Sequence, residues 1–192
     1  MSLGGALYVA GWGSGAGKTT VCEAIVRGAQ EHFRGTSSTE PKNLLAYIKP
    51  VTQCEAVTDV VEYCEKNQID AVGIGPVVFQ QGFTTQFLAP NLQESGPATT
   101  AAAVGSFVER RKALLDTVVQ SVTELRSTHR FTVVDGVGYP SVGSCCGVGN
   151  GDVAAALQLP VLLVAPNGLG DAIDTFELMK AYFEQRGAKV IA

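Results

Sequence analysis

The chain has 192 residues, 18 of them acidic and 14 basic, which gives a formal charge of −4 and a pI near 5.2. With 46% apolar residues it can bury a full core without disulfide or metal staples, so disorder is excluded as its main state. The acidic balance and the lack of a basic run argue against nucleic acid and anionic membrane as main partners, and no apolar stretch approaches the ~20 residues that span a bilayer.

The first residues, MSLGGALYVAGWG, lack the basic flank and cleavage pattern of a secretory signal. The five cysteines, Cys22, Cys54, Cys64, Cys145 and Cys146, cannot all pair and show no metal-ligand spacing. They read as reduced thiols of a cytoplasmic protein. Cys145 and Cys146 are adjacent, so their side chains are expected to diverge and to share one metal poorly, as ordinary loop thiols.

In chain order, ALYVAG at 6–11 is a short apolar run that ends in glycines, and a helix is predicted over 18–33. LLAYI at 44–48 is the next strand, closed by Lys49 and Pro50, and a helix over 57–66 follows. The stretch 73–100 is the least regular and reads as a surface excursion. Phe79, Phe83 and Phe87 recur there every four residues, but Gly82 and two threonines interrupt the helical pattern. Core packing is favoured for these rings over a pocket wall or a dimer contact. The longest helical pattern, 104–126, repeats Phe107, Val108, Leu115, Val118, Val119, Val122 and Leu125 at three- and four-residue spacing. FTVVD at 131–135, PVLLVA at 160–165 and KVIA at 189–192 complete the strands, with a helix over 171–185 before the last. His32 and His129 lie near predicted helix ends and read as surface residues, not catalytic ones.

Strands apolar on both faces, each followed by an amphipathic helix, predict an α/β fold: a three-layer, doubly wound parallel sheet. No linker or repeat breaks residues 1–192, so one nucleotide-binding domain is expected. Such a sheet would normally continue past KVIA into another loop and strand, and the natural C-terminus is therefore expected further on.

The strongest chemical signal is GWGSGAGKTT at 11–20, between the first strand and the first helix. Its glycines let successive N–H groups turn inward as an anion nest at a helix N-terminus. In this arrangement Gly13, Ser14, Gly15, Ala16, Gly17, Lys18, Thr19 and Thr20 would wrap a nucleotide's phosphates. Lys18 would reach the β/γ-phosphates and Thr19 would contact Mg²⁺. The usual motif has four residues between its first and last glycine; here five separate Gly11 from Gly17.

That longer loop resembles the G-x5-G-K-T pattern of dethiobiotin synthetases. IKPVTQ at 48–53 is similar to the family's Lys-Pro-Val segment, Thr58-Asp59 to its Ser/Thr-Asp metal pair, and VVDGVG at 133–138 to its Glu-Gly-Ala-Gly segment, with Asp135 replacing glutamate. LPVLLVAPNGLGDAID at 159–174 resembles the strand, loop and helix that follow. The resemblance runs over most of the chain and implies a P-loop NTPase fold and a biotin-biosynthetic, Mg·ATP-dependent cyclo-ligase. There, a carbamate formed on diaminopelargonic acid attacks the γ-phosphate, and the mixed anhydride closes to a cyclic urea. Lys18 and Lys49 would be catalytic, with Lys49 on carbamate and transferred phosphate. Thr19, Asp59 and Asp135 would hold Mg²⁺, which favours one or two carboxylates beside phosphate and water. Lys49, Gly136 and Gly138 would border the substrate. The resemblance also implies a cytoplasmic homodimer with the substrate touching both subunits.

Plainer roles stand beside these: Asp59 as a helix-start residue, Asp135 as a turn aspartate, and Lys49 as a solvated strand-end lysine. A second function also stands open. Thr52-Gln53-Cys54 replaces the synthetases' Ala-Ser-Gly, which removes a substrate hydroxyl. Gln53 and the run 150–154 are closer to the N-terminal domain of phosphotransacetylases, a regulatory module, and related folds amidate cobyrinic acid. The family's adenine-recognising asparagine would fall beyond Ala192. A deviant-loop ATPase is disfavoured, because no lysine stands at Trp12 to Ser14.

Overall fold

The computed structural model describes residues 3–36, 44–53, 58–93, 101–165 and 168–192. Cys54, the start of the helix predicted from 57 and the end of the 73–100 stretch lie outside them. In chain order the elements are β1 (Gly5–Gly11), α1 (Lys18–Thr36), β2 (Leu45–Ile48), β3 (Val51–Thr52), α2 (Asp59–Lys66), β4 (Asp70–Val72) and β5 (Val77–Val78). They continue as α3 (Phe83–Gln93), α4 (Ala101–Thr128), β6 (Phe131–Asp135), a 3₁₀ turn (Ser144–Cys146), α5 (Asn150–Leu157), β7 (Pro160–Val164), α6 (Leu169–Glu184) and β8 (Lys189–Val190).

Six strands form one parallel sheet in the order β4-β2-β6-β1-β7-β8, and β3 pairs with β5 in a small parallel annex. The doubly wound α/β expectation is met. One face is covered by α1 and α2, whose Cys22, Val26, Val60, Val61 and Cys64 bury against Val9, Leu45, Tyr47 and Val133. The other face, under α4, α5 and α6, collects Val118, Val122, Val153, Leu157, Met179 and Phe183 against Tyr8, Ile48, Val134 and Val161. The chain leaves β1 toward one edge and leaves β6 toward the other. The order therefore reverses between these two neighbours, and open α/β sheets bind ligands at the carboxyl ends of such a pair.

Several expectations need correction. The 73–93 stretch is regular: β5 and α3 lie within it, and Gly82 (φ +85°) is the turn that starts α3, not an interruption of a helix. Its aromatics pack edge to face or stacked, Phe79 with Phe83 at 5.1 Å, Phe83 with Phe87 at 6.2 Å and Phe87 with Phe107 at 5.8 Å, against the larger core. GSCCGVGNGD at 143–152 reads from the sequence as a loop, but its last three residues begin α5. Strand β4 was not anticipated either. His129 is not a surface residue: it is 5% exposed, with Nε2 3.1 Å from Asp70 Oδ2 and Nδ1 2.9 Å from the Leu125 carbonyl, pinning the end of α4 to the edge strand. Finally, the Cys145 and Cys146 side chains do not diverge; their Sγ atoms lie 3.6 Å apart.

Candidate functional site

The loop at 11–17 curls at the carboxyl end of β1. Trp12 N–H donates to the Val164 carbonyl at 3.2 Å, and Ala16 N–H to the Gly13 carbonyl at 3.4 Å. Gly15 (φ +80°) and Gly17 (φ +83°) take left-handed conformations that a side chain would strain. The extra residue, Trp12, is 40% exposed, while Gly13 is buried against the Tyr139 ring. Helix α1 begins at Lys18, so its first N–H groups, which have no partners within the helix, open into the loop.

The loop walls a cavity of about 400 Å³, lined by Gly13, Ser14, Gly15, Ala16, Gly17, Lys18, Thr19, Thr20, Lys49 and Gly138. None of these is acidic, and two are lysines. Lys18 is 7% exposed and Lys49 5%, so both ammonium stems are sheltered beside a helix N-terminus, where an anion is favoured. Lys49 sits where β2 ends, its N–H bonded to the Val72 carbonyl at 2.9 Å.

Asp135, the last residue of β6, is the only fully buried carboxylate among the described residues. Lys18 Nζ makes an ion pair with its Oδ1, and Tyr47 donates to its Oδ2 at 2.7 Å. The register explains the Tyr47 contact. Tyr47 pairs with Val133, and alternation puts Val133 and Asp135 on the face that α1 covers, as it does Tyr47 and Lys49. Burial first, then the Asp135 charge, pushes the Tyr47 hydroxyl well above the usual tyrosine range, so it stays a neutral donor. The Cys22 thiol beneath is raised by the same two causes in the same order.

Two predicted residues fall elsewhere. Asp59 opens α2 on its exposed side and is not among the cavity's lining residues; with Glu62 it places negative charge at that helix's first turn. Gly136 faces the protein interior, because a Cβ there would meet Asn150 Oδ1 at 2.7 Å and the Tyr8 ring at 3.0 Å. Gly138 borders the loop, 3.7 Å from Ser14 N by the same test.

A family model, the AAA domain, matches residues 5–192. The ATP-dependent dethiobiotin synthetase BioD of Anaeromyxobacter dehalogenans (strain 2CP-C) is 31% identical over 184 residues, covering 96% of this chain and 73% of that protein. The chain belongs to the dethiobiotin synthetase-like P-loop NTPases. A synthetase of the same name from Anaeromyxobacter sp. (strain K) is 29% identical over 187 residues, 96% of this chain and 73% of that one. The cobyric acid synthase of Paracoccus denitrificans is 25% identical over 97% of this chain and 39% of its own length.

Four residues of this synthetase-like site escaped the sequence. Tyr47 orients the buried carboxylate. Tyr8 and Asn150 hold the loop after Asp135: Asn150 Oδ1 accepts from Tyr8 Oη at 2.8 Å and Val137 N at 3.0 Å, while its Nδ2 donates to the Val137 carbonyl at 2.9 Å. Tyr139 closes over Gly13. A tyrosine two residues before a strand-end lysine was a visible signal for Tyr47. Asn150 opens the run 150–154 singled out above for its likeness to another family, but nothing local marked its hold on the loop after Asp135.

Proposed function

We propose that the chain is a Mg·ATP-dependent ligase that phosphorylates a carboxylate or carbamate and closes it onto an amine, with dethiobiotin formation as the first reaction to test. The observation that carries this is the lysine pair. Lys18, at the start of α1, and Lys49, after β2, line one cavity beneath a glycine loop, with no acid among its described lining residues, which suits a γ-phosphoryl group and its acceptor. The acceptor oxygen attacks the γ-phosphorus, ADP leaves, the amine attacks the acyl carbon, and inorganic phosphate leaves. Lys18 and Lys49 offset the charge that builds on the moving phosphoryl oxygens.

Among the described residues no group of three or more His, Cys, Asp or Glu gathers to hold a metal, which fits Mg²⁺ better than a metal caged wholly by protein. Thr19, on the cavity wall, and Asp135, behind Lys18, are the residues that would hold it, and Mg²⁺ would supply positive charge against the phosphates. Asp135 can serve only if Lys18 moves off it toward phosphate, so phosphate binding and release of the carboxylate are one exchange. Asp59 would join only through a shift of α2. A two-fold dimer is part of the reading, supported by Leu169 and Ile173, which stand exposed one turn apart at the start of α6.

The competing reading is a nucleotide-binding regulatory module or an amidating ligase. The exposed Gln53 at the end of β3, in place of a substrate hydroxyl, favours it. Calorimetric titration of Mg·ATP, alone and then with diaminopelargonic acid and bicarbonate, separates the two. Binding followed by heat of turnover is expected, with turnover lost and nucleotide binding kept in Lys49→Ala. Binding without turnover against a panel of amine acceptors would support the regulatory module.

A further inference from the structure

The 3₁₀ turn at Ser144–Cys146 carries the two adjacent cysteines and takes no part in the phosphate site. Glycines in left-handed conformations bracket it, Gly143 at φ +86° and Gly147 at φ +74°. The turn is held by Cys146 N–H to the Gly143 carbonyl at 2.9 Å and Val148 N–H to the same carbonyl at 3.1 Å. It is pressed between two elements: a Cβ at Gly143 would meet the Phe79 ring at 2.8 Å, and one at Gly147 would meet Arg111 Nε at 2.6 Å. Within this frame Cys145 is exposed and Cys146 is fully buried, yet the two Sγ atoms are 3.6 Å apart. One thiol therefore meets solvent while its neighbour waits within reach behind it.

We propose that Cys145 and Cys146 form a redox-active vicinal dithiol, in which low-molecular-weight disulfides oxidise the exposed Cys145 and the buried Cys146 resolves the adduct into a disulfide between neighbouring residues. The Cys145 thiolate attacks one sulfur of glutathione disulfide, whose S–S bond breaks and releases one glutathione thiolate. Cys146 gives its proton to that thiolate, and its sulfur then attacks Cys145 Sγ and displaces the second glutathione. Two protein thiols are oxidised, and one small disulfide is reduced to two thiols.

The sulfurs' separation decides in favour of resolution over a lasting adduct, because the second thiol is already beside the first. Burial pushes Cys146 up to about 12, helped by the hydrogen bond and charge of Cys145 and opposed by Arg111, so Cys146 is the slow partner and Cys145 the entry point. The product is strained. Neighbouring Cα atoms are about 3.8 Å apart across a trans peptide, below the roughly 4.4–6.8 Å of ordinary disulfides. A strained bond at an exposed turn is easily reduced, which makes the modification reversible rather than structural.

The sequence supplies a clean assay. No Lys or Arg lies between Arg130 and Lys180, so trypsin releases 131–180 as one peptide carrying Cys145 and Cys146 and no other cysteine. The folded chain is exposed to glutathione disulfide, its free thiols are alkylated under denaturing conditions, and that peptide is weighed. The expected result is a peptide lighter by two hydrogens, without alkyl or glutathionyl groups, and restored to the dithiol by dithiothreitol. Cys146→Ser should stop at one glutathionyl group on Cys145, and Cys145→Ser should leave Cys146 unreacted until denaturation. A wild-type peptide that keeps both thiols, or that accumulates the glutathionyl adduct, would overturn the proposal, and neither result depends on the variants folding.

Discussion

The two faces of the sheet are built on different principles. Under α1 and α2 the packing is interrupted by charge: Lys18, Asp135 and the Tyr47 hydroxyl are buried together, with Lys49 alongside. Under α4, α5 and α6 the core is larger and mostly apolar, and the buried polar knot of Tyr8 with Asn150 is neutral. On the proposed reading the charged face changes partners, with Lys18 trading a carboxylate for a phosphate. The neutral face has no such exchange, since Asn150 ties the loop after Asp135 to α5 through Val137 and Tyr139 and to β1 through Tyr8. That reading puts function where charge is buried and rigidity directly behind it.

The comparison breaks hardest at Asp135. Asp135→Ala leaves the Lys18 ammonium buried without its carboxylate and the Tyr47 hydroxyl without an acceptor. Removing one partner of a buried pair costs about 3–5 kcal/mol, and urea unfolding should show that loss. Added Mg·ATP should recover part of it, because phosphate can take the place of the carboxylate on Lys18. If the variant is as stable as the parent, the charged face is not under tension and the exchange between Asp135 and phosphate falls.

Asn150→Ala tests the neutral face and should cost less. It strands the Val137 and Tyr139 groups and the Tyr8 hydroxyl, each worth about 1–3 kcal/mol if buried and unmatched, though collapse of the loop and entry of water recover part. A net loss near 3 kcal/mol is expected. Unlike Asp135→Ala, none of this loss should be recovered selectively by Mg·ATP beyond ordinary mass action. A variant that loses nucleotide affinity while keeping its stability would show that Asn150 belongs to the site and not to its support.

What could be read from the sequence follows the same division. Strands β1, β2, β6 and β7 are continuous apolar runs, and the glycine loop has a local pattern, so the sheet and the curled loop were visible residue by residue. Helix α5 was not: its buried positions 150, 153, 154 and 157 recur at helical spacing, but they include the polar Asn150 while the apolar Ala155 and Ala156 lie on the other side, so no apolar stripe stands out in the sequence. Helix α3 hid behind Gly82, which looks like an interruption until its positive φ shows it to be the turn before the helix. Strand β4 is three residues at the sheet edge, too short for a period. Tyr47 and His129 depended on partners 88 and 59 residues away. Register and packing, not local spacing, decide such contacts. The same holds for Asp59, whose neighbours in sequence match the family while its side chain faces solvent.

The smallest expected effect concerns alkaline pH, which sharpens the contrast through the buried thiols. Burial, with smaller contributions from Glu23 and Glu65, raises Cys64 from 9.0 to about 12, and burial with Asp135 raises Cys22 further. Both lie under α1 and α2; among the described residues the other face holds one raised thiol, Cys146. A folded-state value above the unfolded one means the native protein holds a proton that the unfolded chain releases. The stabilisation is therefore complete below pH 9 and lost as pH climbs toward 12. Urea midpoints measured across that window should fall, and the fall should flatten more in a Cys22→Ala/Cys64→Ala double variant than in Cys146→Ala, each referenced to its own midpoint at neutral pH. Equal flattening in the two would mean that the charged face titrates no differently from the apolar one. The Asp135 charge would then be fully satisfied by Lys18 and Tyr47, with nothing left to act on the thiol beneath it.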